Sequence, residues 1–186
     1  RRFGRRTAAL PKCLIPLGRG QNLLSRYLDT FRKLKLRDIV LVVGHEKEKI
    51  IAECIEKGRG LSIKFLVNPD YHLGSIVSLF TAAGEMNDDC LIMDADVFFE
   101  ISALKKLLST RGSSFLIDPK SRSAGEEMMV MGRHGRPSQI SKKISKDLEM
   151  LGEATGFLKL KRTDAVLLSK ILNRLVRNGS TDVEYE

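Results

Sequence analysis

Two aspartates near the middle of the 186-residue chain have the setting of metal ligands. The apolar run Cys90–Met93 is predicted to be a strand, and Asp94 and Asp96 follow it directly. Open α/β sheets bind ligands at the carboxyl ends of their strands, and Mg²⁺ binds carboxylate oxygens there together with phosphate oxygens. The pattern indicates Asp96 as a candidate Mg²⁺ ligand, with Asp94 beside it. A helix cap or a turn is the alternative, because Asp favours both.

Two further positions in the first half have the chemistry of anion binding. Lys12 follows Pro11 and precedes a glycine-containing turn, so its compact charge could contact phosphates. A merely solvated lysine is the alternative. Ser75 lies where a predicted strand end leads into a helix, and the N–H groups of a helix start form a natural anion or nucleotide site. N-capping by Ser75 alone is the alternative there.

Charged side chains in the second half could serve a second substrate. Lys146 and Asp147 stand shortly before a predicted strand, within reach of a cleft. The carboxylates of this half that would attract a cationic acceptor are Asp118, Glu126, Glu127 and Glu153. A solvated turn over 125–127 is the alternative. An uncharged polyol phosphate also stays open as the acceptor.

Apolar patterns predict alternating helices and strands that would position these residues. A helix over 23–35, with Asn22 as its N-cap, precedes an unbroken apolar strand over 39–43. A strand that is apolar on both faces is typical of a parallel sheet covered by helices. The other predicted elements are helices over 46–57, 76–86, 103–108 and 163–177, strands over 63–67, 90–93, 115–117, 128–131 and 156–160, and a hairpin loop over 133–137. This order predicts an α/β fold with a doubly wound, mostly parallel, Rossmann-like sheet and a small mixed β insertion in the second half.

The composition favours small anionic ligands over nucleic acid. The net charge is +9, from 32 basic and 23 acidic side chains, which suits an anionic partner. Aromatic residues make up only 6% of the chain, Trp is absent, and the basic residues are scattered, unlike a nucleic-acid surface. The three cysteines lie far apart without zinc spacing, which favours buried thiols in a reducing compartment. We expect a cytoplasmic protein, without a membrane segment in this chain.

The order of these motifs resembles the sugar-phosphate nucleotidylyltransferase superfamily. The series begins with Arg2 and Pro11-Lys12, continues through Asn68-Pro69 to Ser78, and includes Asp94-Ala95-Asp96. Lys146 and Gly152-Glu153 complete it. The chain is most similar to bacterial choline-phosphate cytidylyltransferases and to relatives that act on inositol phosphate or aminoethylphosphonate. The resemblance covers nearly the whole chain.

The resemblance implies a role for each of these residues. Arg2 and Lys12 would contact the triphosphate, Asp96 would bind Mg²⁺, and Lys146 would contact the transferring phosphate. Four further residues are expected near the nucleotide: Asn68, Ser75, Ser78 and Asp94. Glu153 would face the acceptor. Asp118 and Glu127 are expected beside it from their charge alone and not from the resemblance. The implied substrates are a nucleoside triphosphate, with CTP as the expectation, and a small phosphorylated or phosphonate metabolite.

Two features of the superfamily are absent from the sequence. One is the Gly-rich loop after the first strand, and the other is a late second metal-binding Asp. We therefore expect residues 1–186 to form a single nucleotidyltransferase domain that lacks its first strand, with that loop, and its C-terminal segment. A non-catalytic regulatory relative and a basic nucleic-acid-binding module are the alternative functions. Fusion to another domain and a homodimer both stay open.

Overall fold

The computed structural model describes residues 10–121, 125 and 127–179. Within them, helices and strands alternate over residues 23–118, as the apolar patterns predict. The helices are α1 (Leu23–Lys33), α2 (Lys47–Lys57), α3 (Ser75–Thr81), α4 (Ile101–Ser109) and α5 (Arg162–Arg177). The strands are β1 (Pro16–Gly18), β2 (Gln21–Asn22), β3 (Asp38–Val43), β4 (Ser62–Val67), β5 (Cys90–Met93), β6 (Ser114–Asp118), β7 (Met129–Arg133), β8 (Arg136–Ser141) and β9 (Glu149–Leu160). Short 3₁₀ turns occupy Lys12–Leu14, Tyr71–Leu73 and Ala83–Glu85.

The strands form a short antiparallel pair, β1 with β2, one parallel pair and one larger antiparallel sheet. β3 and β4 are parallel, in register from Asp38 opposite Ser62 to Val43 opposite Val67. β9 is the central strand of a five-stranded sheet, with β5 and β7 along one edge, β6 along the other, and β8 beyond β7. Because β5 and β6 are both antiparallel to β9, they run in the same direction. The predicted α/β class is confirmed, with the parallel pair in one sheet and antiparallel pairing around the long strand β9 in the other.

Helices cover both faces of the sheet, as the side chains of β5 demonstrate. Cys90 and Ile92 pack against the cluster of α3 and α5, whereas Leu91 and Met93 pack against the cluster of α1 and α4. This alternation is the pleat of a strand with two covered faces. Helix α1 packs against both the parallel pair and the five-stranded sheet. Leu28 belongs to the cluster that includes residues of β3 and β4, and Tyr27 belongs to the cluster that includes residues of β5 and β9.

Helix α1 follows the prediction from its sequence. Asn22 is its N-cap and forms a capping box with Ser25, each side chain accepting from the other residue's backbone N–H. The helix ends at Lys33, two residues before the predicted end, because Lys35 adopts a left-handed conformation (φ 60°). The predicted hairpin is also present: β7 and β8 are joined at His134-Gly135, both with positive φ, the geometry of a tight primed turn.

Three local predictions differ from the structure. The strand predicted over 156–160 begins at Glu149 and has 12 residues. Helix α3 ends at Thr81, where a 3₁₀ turn replaces the predicted continuation to Met86. Strand β3 was expected to be buried on both faces, but Val40 is 40% exposed. Among the described residues β3 is hydrogen-bonded only to β4, so its other edge is less covered than that of a central strand.

Candidate active site

The turn that carries Lys12 is anchored by its two following residues. Pro11 starts the 3₁₀ turn Lys12–Leu14, in which Leu14 N–H donates to the Pro11 carbonyl at 2.9 Å. Cys13 and Leu14 are buried in a cluster with Leu24. Because these two side chains point inward, Lys12 is held at the surface, with 55% of its side chain exposed.

The aspartate loop meets this turn directly. Lys12 Nζ donates to Asp96 Oδ2 at 2.9 Å. Ala95, between the two aspartates, packs against the same apolar cluster that buries Cys13. One apolar cluster therefore supports both charged loops from below, and it brings together two predicted site residues that lie 84 positions apart.

The thiol beneath this pair is chemically quiet. Burial raises the pKa of Cys13 to about 11, and the negative charge of Asp96 adds to the effect. A thiol with so high a pKa is protonated near neutral pH, and thiols react as thiolates. Cys13 is therefore a packing residue of the site and not a nucleophile.

The position of Asp94 requires a glycine at residue 156, directly opposite it on β9. Its backbone N–H donates to the Gly156 carbonyl at 3.1 Å, extending the pairing of β5 with β9 by one bond. Gly156 has φ +72°, and a Cβ built on it would lie 2.2 Å from Asp94 Oδ2. The Asp94 carboxylate thus lies directly against the Gly156 backbone.

Tyr27 joins the same loop from the opposite side. Its hydroxyl lies 2.6 Å from the Asp94 carbonyl oxygen and 2.8 Å from that of Val97. The Tyr27 side chain is 5% exposed, and the rings of Phe99 and Phe157 meet it edge to face. Tyr27 was not among the site residues predicted from the sequence. The available signal was its hydroxyl, because a buried phenol needs a polar partner.

Asn68 and Ser78 are brought together at the end of β4. Asn68 is 1% exposed; its amide nitrogen donates to Ser78 Oγ at 3.0 Å, and its Oδ1 accepts from Asp70 N–H at 2.9 Å. These bonds tie the strand end to helix α3. Ser75 is the first residue of α3 and is exposed, while Gly74 (φ 127°) holds the N-cap position, so N-capping by Ser75 is ruled out. Contacts of these residues with a nucleotide stay a prediction.

The predicted acceptor residues Asp118 and Glu153 lie at the carboxyl end of β6. Asp118 on β6 is directly opposite Glu153 on β9, which places both side chains on one face of the sheet. Asp118 Oδ1 accepts from Lys120 N–H at 2.9 Å, and the Ser121 hydroxyl donates to the Glu153 carboxylate. Glu127 is half-buried nearby in sequence, before β7. Two adjacent carboxylates form a negative patch at this point.

Two predicted catalytic residues have no established place in the site. Lys146 is exposed in the loop between β8 and β9, and its contact with a transferring phosphate stays a prediction. Arg2 lies outside the described residues, as does Glu126. The predicted loss of a first strand and a C-terminal segment also stays a prediction.

Comparison with known proteins decides the family. The model of the MobA-like NTP transferase domain matches residues 1–166. The chain belongs to this family. The resemblance inferred from the sequence motifs is thereby confirmed, and so is the association with nucleotidyltransferases.

Two named proteins are similar to this NTP transferase domain over part of their length. The bifunctional IPC transferase and DIPP synthase of Rubrobacter xylanophilus is 29% identical over 169 residues, which cover 80% of this chain and 38% of that protein. The CMP-5'-(3-aminopropyl)phosphonate synthase of Streptomyces rubellomurinus is 28% identical over 114 residues, 61% of this chain and 18% of that protein. The chain thus spans well under half the length of these relatives.

A solved structure shares the fold. The CTP:phosphocholine cytidylyltransferase of Streptococcus pneumoniae superposes with a TM-score of 0.71, covering 99% of this chain and 76% of that one at 17% identity. At this identity the similarity establishes the fold alone. In the part of the chain that the structure describes, no helix is long and apolar enough to cross a membrane.

The donors around Asp96 fit a magnesium ion that is bound partly by phosphate. Mg²⁺ commonly takes one or two carboxylates from a protein and completes its shell with water and phosphate oxygens. Asp96 offers a carboxylate that is 39% exposed, and Asp94 lies two residues before it. Over residues 10–121, 125 and 127–179 there is no cluster of three or more His, Cys, Asp or Glu that could hold a metal by itself. The donor set therefore suits a cation that enters together with a nucleotide.

Proposed function

We propose that this NTP transferase domain transfers a nucleoside monophosphate, from CTP, to a small phosphorylated or phosphonate acceptor. The observation that carries the proposal is the Lys12–Asp96 pair at the carboxyl end of β5, in a chain of this family. A cation and a carboxylate side by side can bind a triphosphate and its metal ion together. The names of the Streptomyces and Streptococcus proteins, which contain CMP and CTP, support cytidine as the nucleoside.

The reaction needs charge compensation more than proton transfer. An oxygen of the acceptor's phosphate attacks the α-phosphorus of CTP, a new P–O–P bond forms, and the bond to the β-phosphate breaks to release pyrophosphate. A phosphate monoester has a second pKa near ~6 and is mostly dianionic at neutral pH, so it needs no general base. The barrier lies in bringing two anions together and in the charge on the leaving pyrophosphate.

The chain's own residues would supply that compensation. Lys12 would hold the triphosphate, and Arg2 would act from the segment before it. Lys146 would reach the phosphate that is transferred. Asp96, with Asp94 beside it, would hold Mg²⁺, which supplies further positive charge to the phosphate oxygens when bound. Positioning of both substrates accounts for much of the remaining acceleration.

The acceptor is proposed to carry a positive charge. Asp118 and Glu153 lie opposite each other on β6 and β9, and like charges in that position favour a cation between or above them. The acceptor-derived groups named in the two cytidylyl proteins, aminopropylphosphonate and phosphocholine, both contain a cationic nitrogen. The acceptor is therefore a zwitterion with an anionic and a cationic end.

Pyrophosphate release by the full-length protein tests the proposal. The assay crosses four nucleoside triphosphates with phosphocholine, aminoethylphosphonate, inositol 1-phosphate and glucose 1-phosphate, with Mg²⁺ present. We expect release with CTP and one of the two zwitterionic acceptors. Release only with inositol 1-phosphate or glucose 1-phosphate, which have no cationic group, would overturn the cationic acceptor. Silence of a folded protein across the grid would contradict the transferase function.

A matched pair of variants tests the acceptor patch. Glu153→Gln should raise KM for a zwitterionic acceptor about tenfold, the loss of one partly shielded charge contact worth ~1.4 kcal/mol. Glu149→Gln removes the same charge from the same strand, where Glu149 is exposed and accepts a long bond from His134 N–H (3.3 Å). KM should stay unchanged in that control. Equal effects of the two changes would refute a specific role for Glu153.

A further inference from the structure

The aspartate loop is held at both ends by one side chain from a distant helix. Tyr27 Oη lies 2.6 Å from the Asp94 carbonyl oxygen and 2.8 Å from the Val97 carbonyl oxygen. These two carbonyls enclose Ala95 and Asp96, the residues that meet the Lys12 turn. The backbone of the loop is therefore connected to helix α1 at its first and last residue.

The hydroxyl itself cannot move to follow the loop. The Tyr27 ring is held by Phe99 and Phe157, with centroid distances of 4.9 and 6.3 Å and near-perpendicular planes, while Phe31, one helical turn further along α1, contacts its edge at 5.9 Å. Phe99 and Phe157 also contact each other at 5.0 Å. Because the ring is fixed by packing, the loop must adopt the position in which its carbonyls reach the hydroxyl.

The chemistry of a phenol makes this a donor interaction. The hydroxyl must be the donor, because both of its partners are carbonyl oxygens, which can only accept. One proton is shared between two carbonyl oxygens, which both accept. Removing it would leave two acceptors in a half-buried loop without their donor, and such groups are costly to leave unpaired.

Three supports then converge on one short segment. Tyr27 holds the carbonyls at the two ends, Gly156 accepts from the Asp94 N–H at 3.1 Å, and Ala95 packs on the apolar cluster. Asp96 is the residue left to face outward toward Lys12. We infer that Tyr27 is a positioning residue that fixes the Asp94–Val97 loop in the geometry that binds the cation and the nucleotide. The inference rests on the proposed function, since that function makes Asp96 the cation ligand.

The variant Tyr27→Phe tests the inference, because it keeps the ring and removes only the hydroxyl. The control Phe31→Leu disturbs the same aromatic cluster and leaves the hydroxyl in place. Amide hydrogen exchange is measured in the peptide that spans Asp94–Val97, where the Asp94 amide is protected by its bond to Gly156. We expect at least tenfold faster exchange in Tyr27→Phe and little change in Phe31→Leu.

Cation binding provides the second readout. Mn²⁺, a paramagnetic substitute for Mg²⁺, is titrated in the presence of CTP and followed by electron paramagnetic resonance. We expect Tyr27→Phe to raise the half-saturating Mn²⁺ concentration about tenfold, while Phe31→Leu lowers the melting temperature and leaves that concentration unchanged. If Tyr27 had a purely structural role, Phe31→Leu would raise the half-saturating Mn²⁺ concentration at least as much as Tyr27→Phe.

The outcomes separate this inference from the proposed function. Unchanged exchange and unchanged Mn²⁺ binding in Tyr27→Phe would overturn the inference in a protein that is still an active transferase. Fast exchange with unchanged Mn²⁺ binding would also overturn it, because the loop would then not set the cation site. Failure of the proposed function would instead be seen in the wild-type protein, as silence in the pyrophosphate assay.

Discussion

Replacing Asp96 with asparagine should separate the chemistry of the site from its stability. The Lys12–Asp96 pair is 2.9 Å long, and its side chains are 55% and 39% exposed. At 2.9 Å in a water-like medium, Coulomb's law gives about 1.4 kcal/mol. Exposed pairs retain ~0.2–1 kcal/mol of this after side-chain ordering and screening. The variant should therefore lose less than ~1 kcal/mol in free energy of unfolding, or ~2–4 °C in melting temperature.

Turnover should respond very differently to the same change. If the proposed function is correct, removal of the Asp96 carboxylate takes the main protein ligand from the Mg²⁺ ion that offsets charge on the phosphates. Losing one such electrostatic contribution costs ~100-fold or more in turnover, equivalent to ~2.7 kcal/mol. The assay is pyrophosphate release at saturating substrates with increasing Mg²⁺, beside a thermal melt of the same sample.

Asp29→Asn is the matched control for this experiment. Asp29 also forms an exposed ion pair, with Arg32 at 2.7 Å and 40% exposure on each side, but on helix α1 and outside the site. It should lose as little stability as the Asp96 variant while keeping full turnover. Turnover above half of wild type in Asp96→Asn would refute the metal role. A large loss of stability would refute the reasoning that the pair is weak.

Three further outcomes follow from the structure. Lys146→Ala should lower turnover more than it weakens CTP binding, measured by steady-state kinetics beside calorimetry; unchanged turnover would remove its role. Asn68→Ala should cost ~1–3 kcal/mol in urea unfolding because it removes a side chain that is 1% exposed together with its hydrogen bonds to Ser78 and Asp70, whereas Ser78→Ala should cost less; a larger cost for Ser78→Ala would contradict this. Burial raises the pKa values of Cys13 and Cys54 from 9.0 to about 11, so the stability they contribute is complete below pH 9.0 and is lost as pH rises toward 11. The free energy of unfolding, measured with urea between pH 8 and 10.5, should fall more steeply with pH in wild type than in the variant with both Cys13→Ala and Cys54→Ala. Equal slopes would disprove this contribution of the two thiols.

The elements whose formation depends on local pattern could be predicted from the sequence. The N-cap Asn22, the apolar stripe of α1 and the strand before Asp94 are all readable from neighbouring residues. The first half of β9 could not be read in this way. Its residues 149–155 mix Gly, Glu and Thr with apolar residues, and they are strand because β6 and β7 pair with them. Such pairing is a tertiary effect that overrides local propensity.

The residues of the site also divide into those that local sequence predicts and those that depend on a distant partner. The types of Lys12 and Asp96 and their places near predicted strand ends were sufficient to nominate both. The roles of Tyr27 and Gly156 were not predictable, because each depends on a partner 62 or more positions away in the chain. A glycine inside a strand indicates only that some group approaches closely, without naming the group. Here that group is the carboxylate of Asp94.

The arrangement explains why apolar packing and charge chemistry are inseparable in this site. Cys13 and Leu14 fix the Lys12 turn, and Ala95 fixes the aspartate loop, all within one cluster. A larger side chain at Ala95 would push the loop away from that cluster and lengthen the 2.9 Å contact between Lys12 and Asp96, although it changes no charge. Precise placement of charged groups is what electrostatic catalysis requires. Under the proposed function, the apolar residues beneath the loops would therefore matter for turnover as much as the charged residues above them.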